Sequence, residues 1–141
     1  MQHISIRIIK EEHDSLTAML QSMLMMIRRG PLNEPELFFD VLRSMLFYID
    51  EVPEKQHHPK ESQHFFPLVA LRSAACAESI QRLEKEHQHG EAAIRELQHL
   101  LLAWEIMGDT AAKPLCRRPK VILISTKRTW RWRKNRSFQR P

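Results

Sequence analysis

The sequence predicts an all-α protein arranged as an up-down helical bundle. Apolar residues recur at alternating steps of three and four along several long segments, the repeat of one helix face. Good helix formers such as Leu, Met, Glu, Gln and Arg are abundant, and only three glycines interrupt 141 residues. The breaks between striped segments are short, as connections within a bundle are.

The first helix is predicted over residues 5–29, where Ile9, His13, Leu16, Leu20, Met23 and Ile27 form one stripe. Gly30-Pro31 stops it. A second helix is expected over 34–50, with Phe38, Leu42, Met45 and Ile49 on one face. Pro53 disturbs it, helix resumes near Glu54 and runs to about Arg72, and Pro59 and Pro67 argue for kinks. The third helix is the clearest. Ile80, Leu83, His87, Gly90, Ile94, Leu97, Leu101 and Trp104 keep the rhythm over 77–107, while Arg82, Lys85, Glu86 and Arg95 mark a charged outer side. After Met107 the pattern stops; 121–124 reads as a short strand by composition, and Trp130-Arg131-Trp132-Arg133-Lys134 has no helical face.

The length suits one domain with a real core. No run of about 18 apolar residues implies a membrane span, and the N-terminal segment has no signal-peptide pattern. Cys76 and Cys116 form no motif, so a reduced, cytoplasmic protein is expected. The net charge of +5 hides an asymmetry. Through Asp109 there are 11 Lys/Arg and all 17 Asp/Glu, a balance of −6; from Thr110 onward there are 11 Lys/Arg and no acid. The expected division is therefore a helical domain over 1–108 and an irregular or disordered basic tail over 109–141.

The chemistry lies in the histidines. His13 and His87 each occupy a core position in an apolar stripe. A buried imidazole needs a hydrogen-bond partner or a metal. For either one alone, a core histidine bonded to a carbonyl or carboxylate is the simpler reading. A third segment changes the balance: His57 and Glu61 stand four apart, project from one helix face and can chelate one ion. Three segments thus offer inward nitrogen and oxygen donors without thiolate, a set suited to iron, manganese or zinc. His58 could exchange roles with His57. His3, His64, His89 and His99 are read as surface or outer groups, and Glu91 as an outer group able to orient a ligand.

The runs Glu12-His13-Asp14-Ser15-Leu16, His57-His58-Pro59-Lys60-Glu61 and Glu86-His87-Gln88-His89-Gly90-Glu91 resemble the hemerythrin-like HHE family over about residues 6–107. The resemblance implies an antiparallel four-helix bundle around a non-heme di-iron centre, with metal ligands His13, His57, Glu61 and His87, and Glu61 as a bridging carboxylate. The family completes its site with a fourth helix carrying His-x-x-x-Glu and a following Leu-Pro. Here no histidine or glutamate follows Glu105.

The tail is consistent with a shifted reading frame. Taking the last base of each codon with the first two of the next, Trp130-Arg131 and Trp132-Arg133 give only Glu or Ala, because Trp has a single codon. Residues 128–141 then permit His-Leu-Glu-Met-Glu-Glu-Lys-Gln-Val-Leu-Pro-Ala-Ala, which contains the missing motif and its Leu-Pro. The alternative is a genuine Arg/Trp tail that binds nucleic acid or anionic lipid.

The expected function is hemerythrin-type metal binding, with iron as cofactor and oxygen, nitric oxide, peroxide or iron itself as what is handled. Sensing or binding is expected rather than classical enzyme catalysis. Loss of the fourth-helix ligands implies weak or partial loading, and uncovered apolar faces imply self-association. No specific nucleic-acid or membrane partner is expected under this reading. A plain helical interaction protein is the third reading. Nucleophilic catalysis has little support, since neither Cys76, Ser15 nor Ser62 sits in a recognisable triad setting.

Overall fold

A computed structural model describes residues 4–72 and 76–117, and these are almost entirely helical, with no strand among them. The expected strand at 121–124, the Arg/Trp segment and His3 lie outside the described residues.

Helix α1 spans Ile4–Arg29. Its stripe is buried as the periodicity predicts: His13, Leu16, Leu20, Met23 and Ile27 are all inside. Gly30 ends it with φ +76°, a conformation that costs glycine little, and its N–H donates to the Met26 carbonyl at 2.9 Å. Helix α2, Pro35–Ile49, starts with proline in its first turn, where the missing N–H removes no helical bond. It buries Phe38, Phe39, Leu42, Leu46 and Ile49.

The rod does not stop at Asp50. It continues as a π-helical stretch over Asp50–His57, a single α turn (α3, His58–Lys60), a second π stretch over Glu61–Phe65, and α4, Phe66–Arg72. Each of Pro53, Pro59 and Pro67 removes one ladder donor. The helix accommodates them by widening in two places, so the expected break is a change of helical register instead.

Helix α5, Ala77–Met107, matches its predicted bounds. Gly108, at φ +78°, ends it, and the Trp104 indole donates to Asp109 at 2.9 Å just beyond. A short 3-10 turn, Asp109–Ala111, leads into α6, Ala112–Arg117. Residues 109–117, assigned to the tail by their charge, are thus helical, and Leu115 is 1% exposed within the core cluster.

The core lies between α1, α2 and α5, with α6 laid against α1 and α5. At one end Trp104 meets Phe38 and Phe39 edge to face, centroids 5.2 and 5.6 Å away. Each such pair contributes about 0.5–1.5 kcal/mol beyond burial. Arg43 on α2 bridges Glu105 on α5 and Asp40 on its own helix at the surface. This packing at the α2 end holds the rod so that its first π stretch lies against α1 and α5. No helix among the described residues is long and apolar enough to cross a membrane.

Candidate metal centre

Among the described residues four polar side chains are buried: His13, His57, Glu61 and Ser79. Three of them meet. One donor atom each from His13, His57 and Glu61 falls within 4.8 Å of the others. His13 comes from the apolar stripe of α1, His57 from the end of the first π stretch, and Glu61 from the start of the second. The i, i+4 spacing of His57 and Glu61 keeps both on the side of the rod that faces α1 and α5.

Each ring is oriented through one nitrogen. His13 Nδ1 lies 2.7 Å from the Ile9 carbonyl, which can only accept, so Nδ1 carries the proton. His57 Nδ1 contacts the Glu12 carboxylate, another acceptor. In the neutral rings each Nε2 is then a lone pair, the form in which imidazole binds a metal.

Glu61 is 1% exposed and turns its two oxygens to different histidines. Oε1 lies 3.5 Å from His57 Nε2, and Oε2 lies 3.4 Å from His87 Nε2 on α5. His57 Nε2 makes no hydrogen bond of standard geometry among the described residues. A lone pair facing a carboxylate oxygen in a dry interior is unfavourable unless positive charge lies between them. A proton is one solution. Burial pushes the His57 pKa down, but Glu61 and, more weakly, Glu12 outweigh it, and the net direction is upward. A cation is the other. Bonds of about 2.0–2.1 Å at tetrahedral angles place neighbouring donor atoms about 3.3 Å apart, close to the two separations around Glu61. Nitrogen and oxygen donors, deprotonated and without thiolate, fit a borderline or hard divalent ion.

All four residues singled out in the sequence thus face one region. His87 is 12% exposed at its side chain and reaches the cluster through Glu61. It stacks on His58 with centroids 3.7 Å apart and planes 6° from parallel, and more loosely on Phe66 at 6.0 Å. His58 is therefore occupied against His87, while His57 is the ring directed at Glu61. His64, His89 and His99 are exposed. Glu91, expected near the site, pairs instead with Arg95 on the surface of α5. Glu12 was present in the sequence motif without a role, and no helical spacing signals its contact with a ring 45 residues away.

Beside the cluster is a cavity of about 170 Å³ whose walls include Ile8, Glu12, Tyr48 and Val52 and the rings of His13 and His57. It is largely apolar and large enough for a few waters or a small molecule.

Comparison with known proteins points the same way. The sequence pattern of one family, described as the hemerythrin HHE cation binding domain, matches residues 4–123. The match covers every element above and extends past residue 108. No curated protein and no solved structure matches the chain.

Proposed function

Since the chain belongs to the hemerythrin HHE cation-binding domain family, we propose that it binds a non-heme di-iron centre with His13, His57, Glu61 and His87 as protein ligands, and that this centre handles oxygen, nitric oxide, peroxide or iron itself. The observation that carries this reading is the orientation of Glu61, whose oxygens lie 3.5 and 3.4 Å from histidines on different elements. That is the arrangement a carboxylate needs in order to bridge two ions. Iron, when bound, supplies a redox couple and an open coordination position for a diatomic or peroxide ligand. The chain's own residues do the rest. His13 is held by Ile9 and His57 by Glu12, each with Nε2 left as the donor. Ile8 and Val52 give the adjoining cavity apolar walls.

In this reading the fold is a four-helix bundle whose fourth helix begins as α6 and whose following sequence, basic and without ligands, is read in a shifted frame. No histidine or glutamate after Glu105 completes the ligand set, so loading is partial and weaker than in an intact relative.

The test is metal analysis with an absorption spectrum after anaerobic iron reconstitution, on this chain and on a version with the frame restored. Sub-stoichiometric iron here and a full di-iron complement in the restored version support the proposal. A full complement in this chain contradicts the impaired-ligand part, and no iron in either contradicts metal binding itself. The coding DNA across Trp104 to Arg118 tests the frame separately: the same unbroken frame in several isolates removes that part.

A further inference from the structure

The contact between Glu12 and His57 links α1 to the widened stretch of the rod, and apolar packing does not account for it. The His57 side chain is 5% exposed, so water does not compete for its Nδ1. Glu12 is 32% exposed and lies on the cavity wall. Its carboxylate keeps part of its hydration and avoids most of the cost of burying a charge.

We propose that Glu12 is a positioning residue. By accepting the Nδ1–H of His57 it fixes the ring's tautomer and rotation, so that Nε2 is the atom turned toward Glu61. The inference rests on the metal-binding reading above and adds a residue to it. His13, next in the chain, is anchored in the same way by the Ile9 carbonyl. One helix therefore orients both rings, one through its backbone and the other through a side chain, and only the second anchor can be removed by substitution.

The consequence of removing it follows from imidazole chemistry. Without an acceptor at Nδ1, neutral His57 can move its proton to Nε2 and donate it to Glu61 Oε1, which lies 3.5 Å away. The nitrogen needed for a metal is then capped. A glutamine at position 12 retains a carbonyl oxygen that accepts from Nδ1–H, whereas alanine does not.

The experiment uses the full chain in three forms: wild type, Glu12→Gln and Glu12→Ala. Cobalt(II) affinity is read from d–d absorption, and the His57 tautomer is read from imidazole 15N shifts in metal-free protein at alkaline pH. Glu12→Ala should weaken cobalt binding by about 10–100-fold, the usual effect of losing such a partner, and should shift His57 toward the Nε2–H form. Glu12→Gln should retain the Nδ1–H form and most of the affinity, which a simple loss of charge would not allow. Equal affinity in wild type and Glu12→Ala overturns the inference, as does an Nε2–H tautomer in the wild type. If Glu12→Ala does not fold, the wild-type tautomer and the Glu12→Gln affinity still decide. If the wild type binds no cobalt, the metal reading fails while the tautomer measurement still tests what Glu12 does to His57.

Discussion

Replacing Glu61 by glutamine should separate stability from metal binding. The carboxylate is 1% exposed, and its two histidine contacts, at 3.5 and 3.4 Å, are longer than good hydrogen bonds. Burying an ionised carboxylate costs several kcal/mol even after relaxation, a cost that an uncharged side chain of the same shape does not carry. Glutamine has nearly the same shape, carries no charge and can donate to one ring nitrogen. His57 can lose its proton, so the substitution strands no buried charge. Because glutamine keeps the shape and carries no charge to desolvate, metal-free Glu61→Gln should be at least as stable as the wild type near neutral pH, and each kcal/mol gained raises Tm by roughly 2–4 °C in a chain of this size. The sign of the pH dependence follows from His57, whose pKa is raised in the folded protein. Its pairing with Glu61 stabilises the wild type below the ordinary imidazole pKa, about 6.5, and is lost as pH rises through the raised value. The advantage of the variant should accordingly grow toward alkaline pH. With cobalt at about 100 times its Kd, the wild type should gain about 2.7 kcal/mol and the variant almost none. Thermal melts in chelator and in cobalt at several pH values measure all of this. A variant that melts lower in chelator yet keeps the cobalt shift would refute the reasoning, because Glu61 would then be structural and the metal held elsewhere.

Leu42→Ala, at a 1% exposed core position on α2, should lose about 2–5 kcal/mol in urea unfolding. Arg43→Ala should leave the urea midpoint almost unchanged despite its links to Asp40 and Glu105, because those contacts are at the surface and screened. Leu115→Ala should destabilise on the scale of Leu42→Ala if α6 is integral to the core, and a loss below about 0.5 kcal/mol would show that it is not. Leu71 and Ile106, 85% and 74% exposed, leave large apolar side chains uncovered; changing both to Lys should reduce light scattering of the concentrated protein without altering metal affinity.

Much of the fold was legible because its signals are local. The stripe of α1 and its stop at Gly30, and both ends of α5, follow from periodicity and from glycine at positive φ. His13, His57 and Glu61 stood out because polar groups on apolar faces must find partners, and the structure brings those three together. The rest depends on information that spacing does not hold. Three prolines signalled trouble in the rod but not its form, since a search for 3.6-residue repeats has no template for a wider helix. Leu115 was missed because α6 is too short to establish a period. Glu12 belongs to a pairing across the fold, and Glu91 was drawn toward the site by a spacing that instead serves Arg95.

His57 closes the first π stretch and Glu61 opens the second, and each stretch behaves as though residues had been added to a regular helix. In an α-helix each residue turns the chain by about 100°. Removing one residue between Asp50 and Gln56 would let that stretch tighten to α geometry and keep the rod intact, but would swing everything beyond it, or everything before it, by about that angle. Phe38 and Leu42 could keep their places in the core only if His57 and Glu61 turned away from His13. The donor constellation is thus more fragile toward a one-residue deletion than the scaffold that carries it, and a lineage could shed its metal in a single step while still folding.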